Sequence, residues 1–305
     1  VLGVLGAALL LAMAGRFSGG ENNNDRFVTR MERESLYGWV RVIDDPVNNL
    51  RLLASDASVI GAGGLTDGLN RLTYQQIVGV LPLARPELRK ALLVGQGAGH
   101  MAMMLRDQYG ITTDTIEIDP EVARAAREFY GFVPTGQALV EDGRYAIRHL
   151  RGPYDLIIHD CFTGGSEPAH LLTREALVQL RERISDRGLL ALNFVAFRSE
   201  GKNQGLTSVV RTVSEVLPYV KVYRSEPYND FNDFIILASN QPVDLAVSLP
   251  EEARAWLAER ETRVDSSSGI LLTDDFNPIE SLQVAKAENY RNTVLDWLGR
   301  DQLLR

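Results

Sequence analysis

Residues 90–100 read Lys-Ala-Leu-Leu-Val-Gly-Gln-Gly-Ala-Gly-His. The apolar run Ala91 to Val94 has no polar alternation and passes directly into Gly95, Gly97 and Gly99, as expected of a strand buried on both faces that turns tightly into a helix. The same rhythm continues downstream. The strand-like stretches TTDTIEID (112–119), QALVED (137–142) and YDLIIHD (154–160) alternate with helical ones, PEVARAAREFYG (120–131) and GRYAIRHL (143–150). A further helix at 173–184, a strand at 188–196, a helix at 207–217 and two late strands at 219–225 and 233–239 complete the series. Strict alternation of strand and helix predicts an α/β fold, a doubly wound Rossmann-like sheet with helices on both faces, over about Tyr74 to Ser239. The last two strands are close enough in sequence to pair antiparallel at an edge.

Before this region, residues 35–73 are β-prone and punctuated by Asp-Pro and Asn-Asn, which predicts a small antiparallel N-terminal β-domain. Residues 18–34 read as a linker, and residues 74–305 as the nucleoside-binding catalytic domain. Residues 1–17 are apolar up to Gly15 and too short to cross a bilayer alone, so they read as the end of a transmembrane or hydrophobic segment. Arg16, Arg26, Arg30 and Arg33 follow, which predicts a membrane-tethered protein with its catalytic domain on the cytoplasmic side. The formal charge of −8 argues against a nucleic-acid partner. One cysteine, Cys161, excludes an internal disulfide, and His100, His149, His159 and His170 lack metal-ligand spacing, so no metal is expected.

Ligands of doubly wound sheets sit at the carboxyl ends of the strands. Three strand ends here carry suitable groups in order: Gly95, Gln96, Gly97, Ala98 and Gly99; then Glu117, Ile118 and Asp119; then Glu141, Asp142 and Gly143. Glycines let a backbone approach a ligand, an acid about twenty residues later reaches ribose hydroxyls, and a third carboxylate can accept from an adenine amino group. Each acid alone could be a helix cap. Together they indicate an adenosine pocket, and the glycine spacing is not that of a dinucleotide binder.

Tyr74-Gln75-Gln76, the Gly95 to Gly99 loop, Glu117-Ile118-Asp119, Asp142-Gly143 and Tyr154 to Asp160 together resemble the polyamine aminopropyltransferases, the spermidine and spermine synthase family. The resemblance implies a small β-domain before a methyltransferase-type fold, and a role in polyamine biosynthesis. The implied reaction moves an aminopropyl group from decarboxylated S-adenosylmethionine to a small-molecule amine acceptor. By resemblance Asp160 is the catalytic acid-base residue with Tyr74 beside it, Gln75 holds the methionine-derived end of the donor, Glu117 the ribose and Asp142 the adenine. A homodimer is left open.

Two departures stand out. Ala98 and Thr163 occupy positions where the family carries acids for the donor's and the acceptor's amines. Loss of the first suggests that intact S-adenosylmethionine is accepted, with Gln96 or His100 near its carboxylate. The run Leu272 to Glu280 resembles a motif of membrane-fused relatives, and Asp274, Asp275 and Glu280 are candidates to restore charge at the acceptor; they equally suit a helix N-terminus. Residues 228–233 read as a lid loop or a hairpin turn. Two other functions stay open: an S-adenosylmethionine-dependent methyltransferase on the same sheet, and a non-catalytic nucleoside-sensing module.

Overall fold

The computed structural model describes residues 26–162 and 165–303, and in them the chain forms two sheets. The first is an antiparallel meander of β1 (Val28–Glu34), β2 (Trp39–Asp45), β3 (Leu50–Ser55) and β4 (Ser58–Gly64). Its turns place Asn49 and Asp56 at φ of 54° and 49°, a region that Asn and Asp tolerate better than most residues. Strand β1 starts inside the stretch read as a linker. Only Met31 of its seven residues is buried, so it has no apolar alternation to betray it. It is held instead by pairing with β2 and by charge: Arg30 and Arg51 both bond the buried carboxylate of Asp44, at 2.6 and 2.7 Å.

The second sheet has eight strands in the order β12-β10-β11-β9-β8-β5-β6-β7. These are β5 (Lys90–Val94), β6 (Thr112–Glu117), β7 (Ala138–Val140), β8 (Tyr154–His159), β9 (Ile184–Phe197), β10 (Tyr219–Arg224), β11 (Phe231–Ser239) and β12 (Glu261–Thr262). Strands β7 to β9 run parallel through β6, β5 and β8, whereas β11, β10 and β12 pair antiparallel. The chain winds outward from β5 to β7 and then returns to place β8 on the other side of β5. That reversal makes β5 and β8 the switch point, where a crevice opens at the strand ends.

Helices cover both faces. On one lie α1 (Tyr74–Ala84) and α2 (His100–Tyr109), where Ile77, Leu93, Ile158 and Leu237 share a core. On the other lie α4 (Gly143–His149), α5 (Arg174–Arg181) and α6 (Gln204–Val216), around Leu92, Ile157, Leu190 and Val209. Neighbouring residues of β5 thus enter different cores, which is why the strand reads as continuously apolar. Helix α3 (Pro120–Tyr130) joins the two sheets, since Val122 and Ala125 pack with Val40, Val42, Leu53 and Ala98. The tail adds α7 (Glu251–Arg260), α8 (Ile279–Leu282), α9 (Val284–Leu298) and α10 (Arg300–Leu303).

Among the described residues no helix is long and apolar enough to cross a membrane, which corrects the expectation of a membrane-tethered protein with a cytoplasmic catalytic domain. The apolar segment 1–17 on which it rested lies outside the described residues, as does Thr163.

Helix α9 is tied to the first sheet by Tyr290, whose hydroxyl donates to the carbonyl of Val59 at 3.0 Å and accepts from its N–H at 3.2 Å. Tyr290→Phe would leave both buried backbone groups unpaired. A loss of about 1–3 kcal/mol in urea unfolding is expected, and an unchanged midpoint would show that the tie contributes nothing.

Candidate active site

The glycine loop after β5 owes its shape to backbone crowding. Gly95, Gly97 and Gly99 take φ of 90°, 53° and 81°, where side chains are strained. A Cβ on Gly95 would lie 2.1 Å from the Asp160 carbonyl oxygen, and one on Gly97 2.9 Å from that of Ile60. The loop is therefore pressed between β8 and β4. It opens on a pocket lined by most of the candidate residues: Tyr74, Gln75, the glycine loop, Glu117, Ile118, Asp142, Gly143 and Asp160.

The three acids are held differently. Glu117 accepts from the backbone N–H of Gly97 at 3.0 Å and of Asp119 at 3.1 Å, yet burial dominates and pushes its carboxyl up to about 7. Asp119 caps α3 through the N–H of Glu121, and it also accepts from the hydroxyl of Ser35, in the turn between β1 and β2, at 2.6 Å. Asp142 caps α4 through Tyr145. Burial would raise its carboxyl, but that bond and the ring of His170, 3.0 Å away, hold it below the ordinary range. His170 comes from the short 3₁₀ turn Ala169–Leu171, a signal too brief to read in sequence.

Asp160 stands at the end of β8, directly across the switch point from Gly95. Its Oδ2 accepts from the Tyr74 hydroxyl at 2.8 Å and its Oδ1 from Asn193 Nδ2 at 2.9 Å. Burial raises its carboxyl to about 6 in spite of these two bonds. Tyr74 is raised well above its usual range by burial and then by Asp160, so its hydroxyl stays protonated and donates. Gln75 Nε2 reaches the same hydroxyl at 3.4 Å. Asn193, in the middle of β9, gave no sequence signal, because a lone Asn in an apolar strand reads as a blemish.

The acids of the C-terminal run lie elsewhere. Asp274 is bonded by Arg144, with one contact at 2.7 Å, and by the Thr173 hydroxyl at 2.7 Å, so its charge is already matched. Neither it nor Asp275 lines the pocket. The run 272–280 instead braces the segment before α5: Arg174 donates to the Leu272 carbonyl, and Asn277 to that of Ala169. Ala98 faces β4, where a Cβ on Gly61 would lie 2.7 Å from its own, so this loop position serves packing between the sheets. Gln96 has its carbonyl bonded by Thr115 at 3.1 Å, while its buried Nε2 has no protein partner. His100 is buried and its ring is pushed down to about 4, which keeps it neutral. Cys161 is also raised by burial, as suits an inert thiol.

No family model matches the chain. A polyamine aminopropyltransferase of Vibrio vulnificus is 34% identical over 117 residues, covering 36% of this chain and 39% of that protein. Solved structures share the architecture. A probable spermidine synthase from Corynebacterium glutamicum superposes with a TM-score of 0.62 at 19% identity, over 77% of this chain and 96% of the other. Spermidine synthase from Thermotoga maritima gives 0.60 at 16%, over 87% of each. In fold the chain is similar to spermidine synthases, and over about a third of its length its sequence is similar to a polyamine aminopropyltransferase. An N-terminal histidine N-methyltransferase of Emericella nidulans is also similar, 25% identical over 258 residues, covering 75% of this chain and 46% of that protein. The chain thus spans less than half the length of these two curated relatives.

The raised carboxyls make a pH prediction. Asp160, Asp233 and Glu117 have folded-state values of about 6, 7 and 7, above their ordinary values of 3.8, 3.8 and 4.5. The folded protein therefore holds protons that the unfolded chain releases. Their contribution to stability is complete below the ordinary values and is lost as pH rises through 6 and 7. The melting temperature of the unliganded protein should fall between about pH 5 and pH 8, and Asp233→Asn should flatten the fall. A curve that rises over that interval would contradict the burial of these groups.

Proposed function

We propose that this chain is a transferase that moves an aminopropyl-type group from an adenosyl sulfonium donor to an amine, releasing methylthioadenosine. The observation that carries the reading is Asp160: a half-buried carboxylate, oriented by Tyr74 and Asn193, at the mouth of a glycine loop. The similarity to polyamine aminopropyltransferases supports the same class.

The chemistry suits these residues. An alkylamine titrates near 10.4, so at neutral pH it arrives as an ammonium and must lose a proton before it can attack. A carboxylate raised to about 6 is a better match for that proton than an exposed one. As the proton moves to Asp160, the nitrogen lone pair attacks the donor's methylene and the C–S electrons return to sulfur, giving a neutral thioether. Tyr74 and Asn193 occupy opposite oxygens of Asp160 and so fix the carboxylate plane relative to the pocket. The donor's adenosine would lie against Glu117 and Asp142, with the buried Nε2 of Gln96 an unused donor beside the loop. The donor end holds no acid at position 98, so no carboxylate there repels that of intact S-adenosylmethionine, which favours it over the decarboxylated form.

A methyl transfer is the second reading, favoured by the relative that is an N-terminal histidine N-methyltransferase. Both reactions are in-line displacements at the same sulfonium, and the nucleoside product separates them. Incubating the protein with either donor, with and without putrescine, should yield amine-dependent methylthioadenosine on mass spectrometry. S-adenosylhomocysteine would transfer the case to methylation, and no product from either donor would remove the enzymatic reading. Asp160→Asn should lower kcat about 10²–10⁴-fold while donor affinity, read by calorimetry, stays within a few-fold. Undiminished kcat would remove Asp160 from the chemistry.

A further inference from the structure

The pocket contains a second carboxylate that the reaction above does not use. Asp233 lies near the start of β11, in register with Val195 of β9, two residues from Asn193. Its neighbour Asn232 is buried and closes the preceding hairpin, accepting from the Ser225 hydroxyl and the Glu226 N–H and donating to the Glu226 carbonyl. Residues 228–233 are therefore a pinned turn rather than a lid. Directly opposed residues of paired strands share a face, and so do residues two apart, so Asp233 opposite Val195 lies on the face of Asn193 and joins Asp160 and Asn193 in the pocket lining.

We infer that Asp233 is the acceptor-selecting residue: together with Asp160, and with Asn193 between them, it forms a carboxylate pair that holds the ammonium group of a primary alkylamine. The inference rests on the amine-transfer reading. Three observations support it. The Asp233 carboxyl is pushed up first by burial and then by the Asp160 charge, so the two acids sense one another. Among the described residues neither acid is in an ion pair; the nearby cation, Lys286, is committed to Glu167 and Gln283, all three of them buried. Asn193 donates to Asp160 at 2.9 Å and has a buried carbonyl oxygen with no protein partner, an acceptor suited to an ammonium N–H. Two adjacent acids and a free carbonyl in a desolvated site are costly without a cation and strongly favourable with one. Tyr74, Phe231 and Tyr290 also line the pocket and would cover the alkyl chain. The pair thus supplies negative charge that the sequence lacks at position 163.

The step balances. The ammonium loses one proton to Asp160, the free amine forms the new C–N bond as the C–S bond breaks, and the product leaves as a secondary ammonium still facing Asp233.

The test is calorimetric titration of putrescine into protein saturated with methylthioadenosine, for wild type, Asp233→Asn and Asp233→Glu. Asp233→Asn should bind putrescine at least tenfold more weakly with methylthioadenosine affinity within twofold of wild type, while Asp233→Glu stays within about threefold. In turnover, the amine KM should rise in Asp233→Asn with kcat nearly unchanged. Equal putrescine affinity in wild type and Asp233→Asn would overturn the assignment, as would a glutamate variant as weak as the asparagine one, since packing rather than charge would then be at work. Amine-dependent methylthioadenosine from wild type together with an unaltered amine KM in Asp233→Asn would remove Asp233 and leave the transfer reading standing.

Discussion

The close approach of Gly95 to the Asp160 carbonyl is the constraint on which the rest of the site depends. Parallel pairing of β5 with β8 brings Val94 opposite His159, and the next residue on each strand must then pass the other with no room for a side chain. The Asp160 N–H donates to the Val94 carbonyl at 2.8 Å, which locks the crossing. Because the glycine loop and Asp160 are fixed at one point, the geometry between them is a property of the sheet and not of flexible loops. Positions held by secondary structure vary less than loop positions, which is what the proposed displacement would require.

Around that point the protein treats buried charge in two ways. Where a buried acid serves the fold it is matched: Asp44 by Arg30 and Arg51, Glu167 by Lys286. Three acids that face the pocket, Glu117, Asp160 and Asp233, are left without a protein cation and are raised by burial, whereas Asp142 is held down by its bonds to Tyr145 and His170. The contrast is informative because an unmatched buried carboxylate is costly to stability, and such groups concentrate where a ligand supplies the missing charge or bonds. The C-terminal helix belongs to both sets, since Lys286 secures the segment that follows Asp160 and Tyr290 ties the same helix to β4.

Much of this was legible in the chain. The continuous apolar runs of β5 and β8, the glycines after β5 and the acids after β6 and β7 announce a doubly wound sheet and its nucleoside end, because hydrophobic period and backbone freedom are local properties. Strand β1 escaped because it is stabilised by pairing with β2 and by the ion pair of Arg30 with Asp44, which no periodicity records. Asn193 and Asp233 escaped for a related reason: each sits in an otherwise ordinary strand. Their importance comes only from register: the parallel pairing of β8 with β9 sets Asn193 beside Asp160, and the antiparallel pairing of β9 with β11 brings Asp233 onto the same face as Asn193. The acids at 274 and 275 stood out in sequence, yet Arg144 and Thr173, remote in the chain, claim the first.

The sequence by itself determined the order of strands and helices, the position of the glycine loop and the presence of Tyr74 and Asp160 at element ends, since each follows from neighbours within a few residues. Only the tertiary structure decided which acids meet in the pocket and which are neutralised elsewhere. Electrostatic pairing depends on distance in space, and distance between residues a hundred positions apart is fixed by sheet order and register, not by spacing along the chain.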